Sequence, residues 1–251
     1  GMTQSVIDAL KQRLETVRIG HPDGEGVRMG TLAGLDQVKE VRERVDELRQ
    51  NAELVFGERE EFEVVDADRN KGAFYEPTLL YCAEPLHTDS VHEIEAFGPV
   101  NTVMPYTDLD EAIQLSAKGG GSLVGSVVTA NDAIAHKLVL GIAPYHGRVL
   151  VLNRESAPES TGHGSPMPTL VHGGPGRAGG GEEMGGARGV LHYMQRTAIQ
   201  GSPTTLKNIT GEWTRGAEQT QDKVHPFRKY FEELEIGETL VTHRRTVTEA
   251  D

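Results

Sequence analysis

The sequence is poor in cysteine, in positive charge and in long apolar runs, and each shortage excludes a class of protein. Cys82 is the only cysteine among 251 residues, which excludes a disulfide framework and favours a reducing, cytoplasmic setting. Lys and Arg number 25 against 38 Asp and Glu, and the formal charge of −13 argues against a nucleic-acid partner. No apolar run approaches the length of a membrane helix, so we expect no membrane partner.

Glycine, in contrast, is plentiful. The chain has 30 glycines and only 37% hydrophobic residues, so either loops are abundant or part of the chain folds against a partner. Its length suffices for one or two domains with a sizeable core. No signal peptide is visible, and Gly1 before Met2 is interpreted as a residue left by tag removal.

The middle of the chain alternates strand and helix patterns. Apolar strands are predicted at Val100–Tyr106, Leu123–Thr129 and Val149–Asn153. Helices begin between them at Asp108 and Asn131, both good N-cap residues. Alternation at this short spacing predicts an α/β fold with a parallel sheet and right-handed crossovers.

The pattern also predicts elements on either side of this region. Ser5–Val17 and Leu35–Leu54 carry apolar residues at helical spacing, and Phe74–Cys82 is predicted to be extended. Ser156–Gly189 is rich in glycine and proline and is predicted to be a long functional or disordered loop. Lys207–Thr210 is a candidate edge strand in an otherwise polar C-terminal region.

The stretch Ile94–Tyr106 places an acidic residue and an aromatic ring on a turn before a buried strand. Glu95 and Phe97 precede Gly98-Pro99, which breaks any preceding element. Open α/β sheets bind ligands at such positions. The alternative interpretation is a plain turn that leads into the strand, with Phe97 in the core.

Catalytic and metal-binding patterns are scarce. Cys82 lies in an apolar setting that favours a buried, passive thiol, and no Gly-x-Ser-x-Gly motif exists. His163 and His172 lack a third ligand, so no metal site is predicted. Gly174–Gly179 matches G-x-G-x-x-G, but Pro175 and the glycines that follow argue against a dinucleotide fingerprint. An anion-binding or substrate-covering loop and a loop without a ligand remain open for it.

Several segments resemble the aldehyde dehydrogenase superfamily, in the order that the superfamily has them. They are Glu-Ala-Phe-Gly-Pro-Val at Glu95–Val100, and the segments Gly72–Leu79, Met29–Leu32 and Val149–Asn153. The resemblance implies the C-terminal part of a parallel-sheet aldehyde dehydrogenase catalytic domain, followed by a polar tail. In that family the catalytic Cys and the Glu base lie earlier than the residues matched here, so no catalytic residue is assigned to this chain.

The resemblance also implies roles for individual residues. Glu95 would bond the nicotinamide ribose of NADP or NAD, Phe97 would wall the nicotinamide ring, and Gln37 would be a further ribose contact. His163, Ser165 and Pro166 would line the aldehyde tunnel. A separated fragment would not bind the coenzyme tightly.

Later segments resemble a branch of the family in which the dehydrogenase is fused to a MaoC-like hydratase domain for phenylacetate degradation. These segments are Glu159–Pro166, Val171–Gly181, Tyr193–Gly201, Phe231–Gly237 and Thr246–Asp251. The substrate implied for the intact protein is a CoA-linked semialdehyde, oxidised to the acid.

The domains expected from this resemblance are residues 3–200 as dehydrogenase, 201–225 as an oligomerisation-arm strand with a linker, and 226–251 as the start of a MaoC-like hot-dog domain. The arm implies a homo-oligomer. Three functions follow as hypotheses: a partial dehydrogenase that is inactive alone, a non-catalytic oligomerisation or scaffold module, and a self-contained enzyme that uses Cys82.

Overall fold

The chain has an α/β fold in a computed structural model, which describes residues 2–59, 61–163, 173–179 and 193–218. The helices of this part are α1 (Thr3–Glu15), α2 (Leu35–Leu48), α3 (Ser90–Glu93), α4 (Leu109–Lys118), α5 (Asp132–Ile142) and α6 (Pro203–Thr210). The strands are β1 (Arg18–Gly20), β2 (Val27–Met29), β3 (Glu53–Phe56), β4 (Val64–Val65), β5 (Thr78–Tyr81), β6 (Val100–Val103), β7 (Ser122–Val128), β8 (His146–Leu152) and β9 (Ala198–Gln200).

The strands of the described residues form three small sheets. In one, β5 pairs with β6 in parallel and with β3 antiparallel. In the second, β8 lies between β7 and β9, and both pairings are parallel. In the third, β1 lies between β2 and β4 and is parallel to both.

Two helices cover the two larger sheets with their apolar faces. Val38, Val41 and Val45 of α2 pack with Ala73 and Tyr75, because their spacing puts them on one side of the helix. On the other sheet, α5 packs on β7 and β8, and α6 packs on α5. This second core consists of Val127, Ala135, Val139, Ile142, Val149, Val151 and Ile209.

The four predicted helices are present as α1, α2, α4 and α5, but one predicted boundary is wrong. The helix predicted over Leu35–Leu54 ends at Leu48, and Glu53–Phe56 instead forms a strand antiparallel to β5. Hydrogen bonding to a neighbouring strand overrides the helical pattern there. Asp108 and Asn131 each accept two backbone N–H bonds at the start of their helices, as their residue types predict.

The prediction of one parallel sheet through Val100–Tyr106, Leu123–Thr129 and Val149–Asn153 is wrong in part. The second and third of these segments do pair in parallel, as β7 and β8. The first pairs instead with β5, which precedes it in the chain. In the described part of the chain, β6 and β7 therefore each have one hydrogen-bonded neighbour.

The edge strand predicted at Lys207–Thr210 is also wrong, because these residues are the last half of α6. Ser202 caps this helix by accepting the Thr205 N–H, and Pro203 occupies its first turn. Gly211 ends it in the left-handed conformation, with φ of 73°. These start and stop signals outweigh the weak strand pattern between them.

Candidate active site

The turn between α3 and β6 presents Glu95 and Phe97 to solvent. Ile94 is extended after the last residue of α3, so successive side chains alternate in direction. Ala96 points inward and packs against the cores beside α2, whereas the Glu95 side chain is 66% exposed and Phe97 is 69% exposed. The alternative in which Phe97 belongs to the core is therefore wrong.

Backbone hydrogen bonds hold this turn in place. The Gly98 N–H donates to the Ala96 carbonyl at 2.7 Å, and the Val100 N–H donates to the Gly98 carbonyl at 2.8 Å. A Cβ at Gly98 would lie 2.9 Å from the Val41 side chain, which is fully buried. Glycine therefore lets the turn pack directly on α2.

Gln37 supports the same turn from α2. Its Nε2 donates to the Phe97 carbonyl at 2.6 Å, and its Oε1 accepts the Ala33 N–H at 2.9 Å. The structure thus brings Gln37 beside Phe97, as a brace between the start of α2 and the turn. Its predicted contact with a ribose stays a prediction.

His163 lies against the other large sheet, where two strand residues fix it. Its Nε2 is 2.9 Å from Ser126 Oγ of β7, and its carbonyl accepts a 3.1 Å hydrogen bond from Arg148 Nη2 of β8. Among the described residues, its hydrogen bonds do not reach the Glu95–Phe97 turn.

The surroundings of His163 disfavour its charged form. Burial, and secondarily the positive charge of Arg148, lower the pKa of the imidazole, although a hydrogen bond with the Gly125 backbone opposes this. His163 Nδ1 and Arg148 Nη1 are buried and have no hydrogen-bond partner among the described residues. Within the described part of the chain, the imidazole therefore keeps a polar atom for a further contact.

The lowered pKa predicts a pH dependence of stability. Below about pH 6.5 the unfolded chain binds a proton at this residue more readily than the folded chain does, so stability falls as pH falls. His163→Gln cannot titrate and keeps a partner for Ser126. Its free energy of unfolding should fall less than that of the parent between pH 7 and pH 5, as measured by urea unfolding. Parallel losses in the two proteins would contradict this.

The remaining sequence candidates fall into two groups. Ser165, Pro166 and His172 lie outside the described residues. Cys82 is 1% exposed, and its N–H donates to the Val103 carbonyl at 3.0 Å. A thiol packed among apolar side chains is inaccessible to an aldehyde, which argues against the self-contained enzyme.

The glycine-rich motif does not form a dinucleotide fingerprint. Within residues 173–179 it makes a short 3₁₀ turn, Gly176–Ala178, instead of opening an α-helix. Its Arg177 approaches Glu95, with 3.8 Å between Nη2 and Oε2.

In the described ranges no group of three or more His, Cys, Asp or Glu is placed to hold a metal ion. None of the helices in these ranges combines the length and the apolarity that crossing a bilayer requires.

An open groove of about 640 Å³ lies beside β7, and Met104 and Tyr106, which follow β6, also line it. Helices α4 and α5 contribute much of its apolar wall. The lining includes Met104, Tyr106, Leu109, Leu115, Val127, Val128, Ile134, Leu138 and Ile142. The groove therefore lies beside β7, which has one hydrogen-bonded neighbour within the described residues.

Sequence reasoning missed three residues around these sites, namely Ser126, Arg148 and Arg177. Ser126 and Arg148 could have been noticed as polar interruptions of apolar strands. Arg177 is a lone cation within a run of glycines, but nothing in the sequence connects it to Glu95, which precedes it by 82 positions.

Comparison with known proteins gives consistent results. The model of the "Aldehyde dehydrogenase family" matches residues 1–199. "Protein MaoC" from Klebsiella aerogenes is 54% identical over 224 residues, which cover 89% of this chain and 65% of that protein. The 3,4-dehydroadipyl-CoA semialdehyde dehydrogenase from Aromatoleum evansii is 44% identical over 175 residues, covering 70% of this chain and 34% of that enzyme. The chain thus spans about a third to two thirds of the length of these relatives.

Solved structures share the fold. Succinic semialdehyde dehydrogenase from Streptococcus pyogenes, solved with NADP+, aligns with 72% of this chain and 35% of its own, at 21% identity and a TM-score of 0.58. A betaine aldehyde dehydrogenase variant from Staphylococcus aureus, solved with NAD+, aligns with 70% of this chain and 33% of its own, at 20% identity and a TM-score of 0.59.

Proposed function

Because this chain belongs to the aldehyde dehydrogenase family, we propose that it supplies the coenzyme-facing part of an NAD(P)-dependent aldehyde dehydrogenase. The observation that carries the proposal is the turn before β6. It exposes the Glu95 carboxylate and the Phe97 ring, while Gln37 and backbone hydrogen bonds fix the chain between them.

The chemistry of this turn fits a nicotinamide nucleotide. A carboxylate accepts hydrogen bonds from the two neighbouring hydroxyls of a ribose, and the Glu95 side chain is 66% exposed. The exposed Phe97 ring offers an apolar wall. When bound, the nicotinamide would accept the hydride that leaves the substrate. Glu95 would orient its ribose, and Phe97 would shield one side from water.

For the substrate we propose a CoA-linked semialdehyde, oxidised to the acid within aromatic, phenylacetate-type degradation. The relative that is named a 3,4-dehydroadipyl-CoA semialdehyde dehydrogenase supports this substrate class, and the relative named MaoC supports the family. His163, whose buried Nδ1 has no hydrogen-bond partner among the described residues, would line the aldehyde tunnel together with Ser165 and Pro166. NADP is the preferred acceptor in this proposal, and a cytoplasmic setting fits the single buried thiol.

The domain organisation proposed with this function keeps residues 3–200 as the dehydrogenase part, 201–225 as an oligomerisation arm with a linker, and 226–251 as the start of a MaoC-like domain. In this arm the helix α6 takes the place of the strand predicted at Lys207–Thr210. A nucleophilic Cys and a general base would come from polypeptide outside this chain, since Cys82 is enclosed.

We therefore expect the purified chain to make no NADPH from aldehydes, either simple or CoA-linked. Absorbance at 340 nm would be followed for the parent and for Cys82→Ser, which removes the only thiol. Both traces should equal the buffer control. Reproducible turnover by the parent that is lost in Cys82→Ser would show that the nucleophile is in this chain and would contradict the proposal.

A chimera tests the positive side of the proposal. The part of the Aromatoleum evansii enzyme that corresponds to residues 1–199 of this chain, the range matched by the family model, would be exchanged for those residues. The remainder of that enzyme would then supply the nucleophile and base. We expect oxidation of 3,4-dehydroadipyl-CoA semialdehyde with NADP. A folded chimera that binds no coenzyme would refute the proposal.

A second candidate, an oligomerisation or scaffold module, rests on the apolar groove beside β7. Strand edges without a partner can pair with other chains. Val128, at the end of β7, is 77% exposed on the groove wall. Sedimentation of the purified chain decides this function. A stable oligomer that Val128→Lys dissociates would favour it, and a strictly monomeric, well-folded species would count against it.

A further inference from the structure

Residues 173–179 are held tightly against the starts of β7 and β8 by close backbone approach. A Cβ at Gly121 would lie 1.9 Å from the Pro175 carbonyl oxygen, and one at Gly147 would lie 1.7 Å from the Gly173 oxygen. From the other side, a Cβ at Gly176 would lie 2.0 Å from the Gly120 oxygen. Contacts this close need glycine at each position, so the segment is fixed to the sheet of β7 and β8.

From this fixed segment, Arg177 reaches across to the end of α3. Its own N–H donates to the Gly120 carbonyl at 3.1 Å, which secures the base of the side chain. Its guanidinium donates to the His92 carbonyl at 3.3 Å and to the Glu93 carbonyl at 3.4 Å. These carbonyls lie at the C-terminal end of α3, where a cation is favoured.

The same guanidinium lies 3.8 Å from the Glu95 carboxylate. One planar group thus contacts both the last turn of α3 and the residue that begins the exposed turn. Gln37 braces that turn at Phe97. Arg177 and Gln37 thus hold the two ends of this turn. Arg177 does so from the segment fixed to the sheet of β7 and β8, and Gln37 from α2, which covers the sheet of β3, β5 and β6.

We propose that Arg177 is a positioning residue, which holds the Glu95 carboxylate and the end of α3 in the orientation that receives the coenzyme ribose. The proposal rests on the proposed function for its coenzyme, but its structural part does not. Arg177 ties the sheet of β7 and β8 to the turn before β6, so the orientation of Glu95 depends on the seating of residues 173–179.

Amide hydrogen exchange on the full chain tests the structural part. The probes are the N–H groups of Ile94, bonded to Ser90, and of Gly98, bonded to Ala96. Arg177→Met should raise exchange at both by roughly fivefold, because charge-assisted bonds to the carbonyls are lost. Arg177→Lys keeps a cation and should recover part of the protection.

The exposed Arg28→Met, on β2, is the matched control and should change neither amide. Unchanged exchange in Arg177→Met would overturn the proposal.

A kinetic experiment tests the coenzyme part. In the chimera, Arg177→Met should raise KM for NADP by roughly fivefold with kcat nearly unchanged, and Arg177→Lys should give an intermediate KM. Loss of amide protection with an unchanged KM would overturn the coenzyme role. An inactive chimera would contradict the proposed function alone, and the exchange result would still decide whether Arg177 holds the turn.

Discussion

Glu95→Gln in the chimera is expected to raise KM for NADP by about tenfold or more while the protein stays as stable as its parent. A carboxylate that accepts two ribose hydroxyls makes charge-assisted hydrogen bonds worth about 1.5–3 kcal/mol. The amide keeps the size of the side chain but loses the charge and one acceptor. Because the Glu95 side chain is 66% exposed, its loss costs little folding energy.

The control for this prediction is Glu84→Gln, an exposed carboxylate elsewhere on the surface. It should leave both KM and stability unchanged. Steady-state kinetics with varied NADP, together with urea unfolding of each variant, separates binding from folding. A loss of stability in Glu95→Gln with KM unchanged would mean that Glu95 serves the fold and not the coenzyme.

Local sequence signals predict the two capped helix starts and the turn before β6. Asp108 and Asn131 marked helix starts because an N-cap needs only its own neighbours along the chain. The Gly98-Pro99 pair marked the turn for the same reason. Ser202-Pro203 carries a similar start signal for α6.

Pairing across long sequence distances was not predictable in the same way. Hydrophobic periodicity indicates that Val100–Val103 is a strand, but it does not indicate that this strand pairs with β5. The brace from Gln37 to Phe97 spans 60 positions, and the bonds from Arg177 to Glu93 span 84. Such contacts depend on the packed structure, so the resemblance that implies a ribose contact for Gln37 does not reveal its hydrogen bond to the Phe97 carbonyl.

Gly121→Ala is expected to lower the free energy of unfolding by about 3 kcal/mol or more. Gly121 has φ of 119°, which L side chains rarely adopt, and the added Cβ would meet the Pro175 carbonyl oxygen, which belongs to the backbone and has little freedom to move. Gly30→Ala is the control, because a Cβ there meets nothing within 4 Å and its φ lies outside the left-handed range that L side chains rarely adopt. That change should stay within about 0.5 kcal/mol.

The cost at Gly121 has two possible sources, and trypsin separates them. If residues 173–179 stay seated, the strain falls on the start of β7, and cleavage after Arg177 remains slow. If the segment instead leaves, the guanidinium loses its carbonyl partners on α3 and cleavage after Arg177 accelerates. The second result would mean that the glycines, which the composition suggested were signs of loose loops, maintain the contact through which Glu95 is oriented. A Gly121→Ala protein as stable as its Gly30→Ala counterpart would contradict the close packing itself.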